Sequence, residues 1–378
     1  DVQKAVIDFE YPEKCEIRSY KPTTKGNYVQ VRRVMAALEE AEKPLICIGG
    51  GVFAAHAENE IRELADLMQI PVITTMMGIS VFPDDDQLFC GMIGTHGVKM
   101  ANAAVNECDV LFLVGARVGD RAVKTPLALE KTTKIIHIDI DPAEIGKNIG
   151  ADLPLVGDAK LVLQQMTELA KPMKHDEWIA HIKTLGGERK YVEPAKGTVN
   201  PRVFIDRLAK KMPANVTVVA DVGQNQIWTC TEYKFRKEGR LLTSGGMGTM
   251  GYSVPAAIGA KMADNSRATV AICGDGAFQM SFMELATAVQ FGVDIKVVVM
   301  TNNRLGMVRE LQTNAYHDRQ TAVFLDGSPD FIKLAEAYSI PAMRVYDDDT
   351  MEKGIEMLAE HKGICLVEVV VDKDMPTL

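Results

Sequence analysis

The sequence predicts an α/β protein with two doubly wound domains and mostly parallel sheets. Short apolar runs alternate with helical patterns along the chain, which is typical of parallel strands joined by helices. The runs are apolar on both faces, as expected for strands that helices cover on each side. The length of 378 residues suits two or three domains of roughly 150 residues each.

A first series of elements fills the N-terminal half. Strands are predicted at 44–49, 71–75, 109–115 and 134–140, and helices at 56–69 and 98–107. Residues 171–199 are charged and lack long apolar runs, which indicates a domain boundary near residue 190.

A second series begins near residue 200. Helices are predicted at 200–212, 251–264, 279–291, 330–338 and 350–361. Strands are predicted at 215–223, 268–276, 295–303, 342–346 and 364–371. The strands at 269–275 and 295–301 are joined by one helix, so they are expected to be parallel neighbours.

Composition excludes several classes of function. The net charge of −9 disfavours a general nucleic-acid or acidic-membrane surface. No apolar stretch approaches the roughly 20 residues that cross a bilayer, and the N-terminus shows no signal-peptide pattern. The seven cysteines are scattered and lack a CxxC pair. They are expected to be reduced, buried thiols of a cytoplasmic protein rather than disulfides or zinc ligands.

Residues 274–303 place polar side chains that could bind a ligand at the ends of two predicted strands. Asp275 lies between Gly274 and Gly276, and Asn302 follows 27 residues later. The glycines permit a tight turn, and the next helix directs its first amides toward a diphosphate. Asp275 would repel a diphosphate unless a cation lay between them. Carboxylate, amide and phosphate oxygens suit Mg²⁺. GDG alone is more often a turn, but its pairing with an asparagine strand end indicates a metal site.

This stretch resembles the thiamin-diphosphate motif, in which GDG is followed by a helix, a strand and NN. The chain as a whole resembles the large, catalytic subunit of acetolactate synthase, also called acetohydroxyacid synthase. The matching stretches are KPLICIGGGV, VITTMMG, GARVGDR, KIIHIDIDPAEIGKN, VGQNQIW, TSGGMGTMGYSVPAAIGAK, GDGAFQMSFMELATAVQ and GMV.

The resemblance implies a site for thiamin diphosphate and Mg²⁺. The implied Mg²⁺ ligands are Asp275, Asn302 and the main-chain carbonyl of Arg304, with Asn303 as the alternative to Asn302. Met250 is implied to bend the cofactor into a V shape, which brings its amino group to the reacting carbon. The other implied contacts are Gly223, Gln224, Asn225, Gly248, Gly274, Gly276, Ala277 and Met307.

The first half contains a weaker signal for a second cofactor. The stretch IGGGV, 48–52, is not GxGxxG and by itself indicates a tight turn after a strand. Together with its neighbours it resembles the FAD-binding middle domain of this family, in which FAD takes no redox part in carboligation. The implied contacts are Gly49, Gly50, Gly51, Thr75, Met76, Gly94, His96, Gly97, Arg117, Asp139 and Asp158.

The implied substrates are pyruvate and a second 2-oxoacid. In GARVGDR, Arg121 is implied to guide the anionic substrate at the mouth of the site, although Val118 and Gly119 depart from the family pattern. Leu311 stands where family members that prefer 2-oxobutyrate have a tryptophan, so a strong preference for 2-oxobutyrate is not implied. Pyruvate and 2-oxobutyrate both stay open as acceptor, with 2-acetolactate or 2-aceto-2-hydroxybutyrate as the implied product. A surface arginine and a core methionine are the alternative interpretations of Arg121 and Met250.

Family members also have an N-terminal pyrimidine-binding domain, whose glutamate activates the cofactor. No residue here matches that glutamate, so a truncated chain, inactive alone, is expected; a proteolytic product or one chain of a split enzyme are the alternatives. The predicted divisions are a linker remnant over 1–24, a central FAD-binding-like domain over 25–188 and a thiamin-diphosphate domain over 189–378.

The resemblance further implies branched-chain amino acid biosynthesis, a homo-oligomer and a possible regulatory small subunit. Two other functions stay open. One is a different thiamin-diphosphate enzyme, such as a pyruvate oxidase or glyoxylate carboligase. The other is a non-catalytic chain that binds a cofactor or a partner.

Overall fold

The computed structural model describes residues 1–15, 17–187 and 191–378. Two six-stranded sheets lie within them, and every strand pairing in both sheets is parallel. This confirms the predicted α/β class with two doubly wound domains. The predicted boundary between residues 188 and 189 lies outside the described residues.

The first sheet has the strand order β3-β2-β1-β4-β5-β6. Its strands are β1 Pro44–Ile48, β2 Val72–Thr74, β3 Phe89–Met92, β4 Val110–Val114, β5 Lys134–Asp139 and β6 Leu153–Val156. The chain leaves β1 in one direction, reaches β3 and then crosses back to β4. The carboxyl ends of β1 and β4 therefore flank a crevice, which is the usual ligand position in such sheets.

Helices cover both faces of the first sheet. They are α1 Tyr28–Glu40, α2 Gly51–Ala54, α3 Glu58–Met68, α4 Lys99–Glu107, α5 Pro126–Leu129, α6 Ala159–Thr167 and α7 Asp176–Thr184. Helices α1, α3 and α6 share one core with Ile46 and Ile48 of β1, whereas α4 and α7 pack with Leu45 and Cys47 on the opposite face. This two-sided burial accounts for the uniformly apolar strand sequences.

The second sheet has the strand order β11-β12-β10-β9-β7-β8. Its strands are β7 Thr217–Ala220, β8 Arg240–Thr243, β9 Thr269–Gly274, β10 Lys296–Thr301, β11 Ala342–Val345 and β12 Cys365–Val370. Strands β9 and β10 pair directly, with Val298 opposite Ile272, as predicted. The strand order reverses at β7 and β9, so a second crevice opens between their carboxyl ends.

The second domain also has helices on both faces. They are α8 Pro201–Lys211, α9 Gln224–Glu232, α10 Ser253–Ala263, α11 Asp275–Gln279, α12 Leu285–Gln290, α13 Gly306–Ala315, α14 Phe331–Ala337 and α15 Asp348–Glu360. Every residue of α9 is buried. Helices α8 and α15 pack on one face, and α10, α12 and α14 pack on the other.

The single helix predicted at 279–291 is wrong. Helix α11 begins directly after β9, and Ser281 leaves the helical region with φ −143°. A 3₁₀ turn over Phe282–Glu284 then leads into α12. With this break, the ring of Phe278 in α11 packs edge-to-face against the Phe331 ring, with 5.3 Å between the ring centres. Leu285 of α12 is buried in the same core. The strand predicted at 215–223 is also shorter, since β7 ends at Ala220.

The two domains contact each other through polar and apolar groups. The Asp84 amide donates to the Phe235 carbonyl, and the Phe235 amide donates to the Asp84 carboxylate, each at 2.8 Å. Ser80 accepts a hydrogen bond from the Leu241 amide at 2.9 Å, and Met76 packs against the core of the second domain. These contacts bring the carboxyl edge of the first sheet next to the second domain.

Six of the seven cysteines are buried and Cys15 is exposed, which confirms the prediction of buried thiols except at Cys15. Burial raises the pKa of the Cys47 and Cys230 thiols to about 12, so both stay protonated at neutral pH. Within the described ranges, no helix combines the length and apolar character needed to cross a membrane.

Candidate thiamin diphosphate and metal site

A cleft opens at the carboxyl ends of β7, β9 and β10. The empty space that it encloses is about 640 Å³, including open solvent at its mouth. The position is the reversal point of the strand order, as expected for a ligand site. The lining residues are Val222, Gly223, Gln224, Asn225, Trp228, Met250, Gly274, Asp275, Gly276, Ala277, Met300, Asn302, Arg304, Leu305, Gly306, Met307, Val308 and Val371.

Asp275 is the buried carboxylate of this cleft, with 1% of its surface exposed. One carboxylate oxygen accepts hydrogen bonds from the amides of Asn302 at 3.1 Å and Asn303 at 2.6 Å. The other accepts from the amide of Gly276 at 2.8 Å. The aspartate thus ties the end of β9 to the end of β10, which is the convergence predicted from the sequence.

The charge of Asp275 is only partly compensated by these amides. Burial raises its pKa to about 6, and the hydrogen bonds from Asn303, Gly276 and Asn302 oppose that rise. A buried carboxylate with neutral donors is a favourable position for a cation, because a cation stabilises the ionised form. Oxygen donors of this kind fit Mg²⁺.

Asn302 lies in the cleft wall beside Asp275, whereas Asn303 is exposed and has a left-handed backbone with φ 53°. The Asn302 side-chain oxygen accepts from the Arg304 amide at 3.0 Å, and its nitrogen donates to the Gln224 side-chain oxygen at 3.3 Å. Of the two asparagines, Asn302 is therefore the one placed to act with Asp275.

A second segment holds the turn that contains Arg304. The Leu305 amide donates to Val323, and the Leu325 amide donates to Asn303. The Arg304 guanidinium lies 4.6 Å from the Phe324 ring centre and pairs with Asp326 at 2.8 Å. These contacts fix the backbone at Arg304 without using its carbonyl oxygen.

Glycines keep the floor of the cleft open. Gly223 has φ 148°, and a Cβ there would lie 2.7 Å from the Asn225 side-chain oxygen. Gly223 precedes α9, so the first amides of that helix face the cleft, where they suit an anion. The side-chain nitrogen of Asn225 donates to the backbone carbonyls of Asp221 at 2.8 Å and Ile272 at 3.2 Å. These two bonds connect the ends of β7 and β9 beneath the cleft.

Met250 enters the cleft from the loop between β8 and α10. Its terminal carbon lies 3.4 Å from where a Cβ on Gly276 would be. Asp221 holds this loop from below: its buried carboxylate accepts from the amides of Gly251 at 3.0 Å and Ser253 at 2.7 Å. Met250 is thus placed against the glycine turn that follows β9.

Two residues predicted for the site lie outside the cleft lining. Gly248 is exposed, with φ 68°. Arg121 has 84% of its side chain exposed and lies 4.0 Å from Asp120. His96 is influenced by both domains: burial lowers its pKa, the Arg121 cation lowers it further, and Glu310 of α13 raises it.

The residues predicted to contact FAD all lie at the carboxyl edge of the first sheet. Gly49, Gly50 and Gly51 follow β1, Thr75 and Met76 follow β2, Gly94, His96 and Gly97 follow β3, Arg117 follows β4, Asp139 ends β5, and Asp158 follows β6. The fold therefore brings this set to one edge, the expected ligand side of the sheet.

Several of these residues also have structural roles. A Cβ on Gly49 would lie 2.1 Å from the Gly115 carbonyl oxygen, and one on Gly51 would lie 2.7 Å from the Gly115 Cα. Asp158 caps α6 by accepting from the Leu161 amide at 3.2 Å. Close packing of two turns thus accounts for the glycines, in agreement with the tight-turn interpretation.

Several residues that shape the cleft were not predicted from the sequence, and three of them have polar or aromatic side chains. Trp228 is a lining residue from α9, Glu310 of α13 bonds Gln224, and Asp221 holds the Met250 loop. Only Asp221 carried a usable signal, because it lies near the end of the predicted strand 215–223, two residues before Gly223, as Asp275 lies near the end of the predicted strand 268–276. Nothing local marks Trp228 or Glu310.

Comparisons with known protein families agree with this geometry. Residues 31–166 match the thiamine pyrophosphate enzyme central domain, and residues 221–369 match the thiamine pyrophosphate enzyme C-terminal TPP binding domain. Thiamine pyrophosphate is another name for thiamin diphosphate. The second match contains Asp275, Asn302 and the strands that carry them.

Individual relatives cover nearly the whole chain. It is 39% identical over 386 residues to the "Probable acetolactate synthase large subunit" of Methanocaldococcus jannaschii, which covers 98% of this chain and 65% of that protein. The acetolactate synthase large subunit of Corynebacterium glutamicum is 38% identical, covering 99% and 62%. The acetolactate synthase isozyme 3 large subunit of Escherichia coli is 34% identical, covering 97% and 66%. The chain spans 62–66% of the length of these relatives.

Proposed function

We propose that this chain, which belongs to the thiamine pyrophosphate enzymes, is the cofactor-binding part of an acetolactate synthase. It carries the central and the C-terminal domains of that enzyme family. In this proposal the cleft between β7, β9 and β10 holds thiamin diphosphate through Mg²⁺. The observation that carries it is Asp275, a carboxylate 1% exposed at the strand-order reversal, whose hydrogen-bond donors are all backbone amides.

Different residues of the cleft would bind the metal ion, the diphosphate and the middle of the cofactor. Asp275, the Asn302 side chain and the Arg304 carbonyl would hold Mg²⁺, and the first amides of α9 would receive the diphosphate. Met250 would support the middle of the cofactor from the loop that Asp221 holds. When bound, thiamin diphosphate supplies a nucleophilic carbon that can add to a carbonyl.

The proposed reaction joins two pyruvate molecules into 2-acetolactate and releases one CO₂. Arg121 would guide anionic substrate at the mouth of the site, as the family similarity implies, and its charge already acts on His96 of the same domain, whose pKa it lowers. Leu311 is 56% exposed on α13, a poor wall for a selective pocket, so we propose pyruvate as the main acceptor.

The remaining parts of the proposal rest on the family similarity. FAD would bind at the carboxyl edge of the first sheet without a redox role. The enzyme would act in branched-chain amino acid biosynthesis in the cytoplasm, as a homo-oligomer and with a regulatory small subunit. The glutamate that activates the cofactor would come from a pyrimidine-binding domain.

Calorimetric titration tests cofactor binding. Thiamin diphosphate should bind this chain in the presence of Mg²⁺ and should not bind after EDTA treatment. The Asp275→Ala variant should lose the Mg²⁺-dependent binding. Equal affinity for the variant and the unmodified chain would contradict the assigned site.

Product analysis tests the reaction. Pyruvate, thiamin diphosphate, Mg²⁺ and FAD are supplied to this chain and to a version extended with a pyrimidine-binding domain. We expect 2-acetolactate from the extended version and little from this chain alone. Acetate with flavin reduction would indicate a pyruvate oxidase, and cofactor binding without turnover in both versions would favour a non-catalytic chain.

A further inference from the structure

Gln224 connects the metal side of the cleft to a segment far away in sequence. Its side chain is 4% exposed. The amide nitrogen donates to the Met375 carbonyl at 2.9 Å, to the Thr377 hydroxyl at 3.2 Å and to Glu310 at 3.2 Å. Its oxygen lies on the opposite side, where it accepts from Asn302 at 3.3 Å.

Glu310 organises the nitrogen side of this amide. One of its carboxylate oxygens accepts from the Thr377 amide at 3.1 Å, from the Thr377 hydroxyl and from Gln224. Because the Thr377 hydroxyl gives its hydrogen to Glu310, it presents a lone pair to Gln224. All three neighbours of the Gln224 nitrogen are therefore acceptors.

These acceptors determine which way the Gln224 amide points. A flipped amide would place its oxygen against the Met375 carbonyl and the Glu310 carboxylate, where no hydrogen is available. Such a buried, unsatisfied arrangement is unfavourable. The Gln224 oxygen must therefore face Asn302, and there is room for it because position 306 is glycine: a Cβ at Gly306 would lie 1.9 Å from that oxygen.

The orientation of the Gln224 side chain in turn determines the orientation of the Asn302 side chain. Since the Gln224 oxygen can only accept, Asn302 must present its nitrogen to it. The Asn302 oxygen then points to the other side, where the Arg304 amide, which can only donate, occupies one lone pair at 3.0 Å. The second lone pair of that oxygen remains for a ligand in the cleft.

We propose that Glu310 is a positioning residue for the metal site, acting through Gln224 to keep the Asn302 oxygen directed toward the cation. The inference rests on the proposed function, because it assumes that Asn302 binds Mg²⁺. It adds a residue on α13 and the segment 371–377 to the determinants of metal affinity.

Two substitutions of similar size at Glu310 distinguish the positioning of Gln224 from an effect of lost packing and from an effect of lost charge. Glu310→Gln keeps an oxygen acceptor for Gln224, so its Mg²⁺ affinity should stay within about threefold of the unmodified chain. Glu310→Met fills the same space without an acceptor, and should weaken Mg²⁺ binding about tenfold, the effect of one lost hydrogen bond to a charged group. Asn314→Ala, at an exposed position on the same helix, is the control.

The measurement is a Mg²⁺ titration at saturating thiamin diphosphate, followed by calorimetry, with thermal melting of each variant recorded in parallel. Thr377→Val is the second route if Glu310→Met does not fold; it removes one acceptor and should weaken Mg²⁺ binding about threefold. Equal Mg²⁺ affinity of Glu310→Met and the unmodified chain would overturn this role, as would loss of affinity in Glu310→Gln equal to that in Glu310→Met.

Failure of the proposed function gives a different result. The unmodified chain would then show no Mg²⁺-dependent binding of thiamin diphosphate, and the positioning role would be overturned together with it. Binding by the unmodified chain with no difference among the Glu310 variants would instead overturn the positioning role alone.

Discussion

Replacing Asp275 with asparagine should stabilise the cofactor-free chain and at the same time remove its response to Mg²⁺ and thiamin diphosphate. The wild-type pKa rises from 3.8 to about 6 on folding. A rise of about 2 units corresponds to about 3 kcal/mol of destabilisation once the group is ionised. Asparagine removes that charge but places a nitrogen against one amide donor, which costs about 1 kcal/mol. The expected net gain near pH 7.5 is about 2 kcal/mol.

The gain should depend on pH in one direction. Because the folded pKa of about 6 lies above the unfolded value of 3.8, the folded state binds more protons between these values. The ionisation penalty of Asp275 is therefore complete above pH 6 and disappears near pH 4. The difference in unfolding free energy between variant and wild type should shrink to zero or change sign over that window.

Urea denaturation in EDTA at pH 7.5 and 4.5 measures this difference. Adding Mg²⁺ and thiamin diphosphate at one hundred times the dissociation constant should stabilise the wild type by about 2.7 kcal/mol and leave the variant unchanged, so the order of stability inverts. Asp349→Asn, at an exposed carboxylate on α15 away from the cleft, is the matched control and should show neither effect. If the stability difference between Asp275→Asn and wild type is equal at both pH values, Asp275 does not have a raised pKa in the folded chain.

Three further substitutions or measurements follow from the geometry. Gly49→Ala places a Cβ 2.1 Å from the Gly115 carbonyl and should lower the unfolding free energy by about 3 kcal/mol in urea denaturation; an unchanged midpoint would contradict the close packing. Gly276→Ala presses on the mobile end of Leu305 at 2.8 Å, so it should cost only about 1 kcal/mol of stability but weaken thiamin diphosphate binding in calorimetry. Trp228 lines the cleft, so its fluorescence should change when cofactor and Mg²⁺ bind to a variant whose other tryptophan is phenylalanine, and a constant spectrum would place the ligand elsewhere.

The strands that the sequence did not predict share a position. β3 and β6 are the two edges of the first sheet, and β8 is an edge of the second. Edge strands are short and are covered on fewer sides, so their apolar signal is weak. β3 contains Gly91 with φ 97°, and β6 contains Pro154, which a sheet tolerates at its edge. The buried central strands, in contrast, were all predicted.

Helix α9 shows a second limit of periodicity. Its sequence, QNQIWTCTE, appears polar, yet all nine residues are buried. A helix that is covered on all sides has no amphipathic stripe, so no period can reveal it. Its polar side chains are satisfied by partners such as Thr243, which accepts from Gln226 at 2.7 Å, and such partners lie outside any local window.

The proposed metal motif is limited in a similar way, because it fixes residue types but not side-chain orientation. The strand-end pattern supplies the two proposed ligands, Asp275 and Asn302, and the parallel pairing of β9 and β10 brings them together. An asparagine, however, offers oxygen on one side and nitrogen on the other, and only the oxygen binds a cation. We propose that this choice is made by Gln224, which bonds Asn302 from 78 residues away and whose own orientation depends on Glu310. A motif search can therefore identify the proposed ligands Asp275 and Asn302, whereas under our proposal the metal affinity should also depend on residues that no such motif contains.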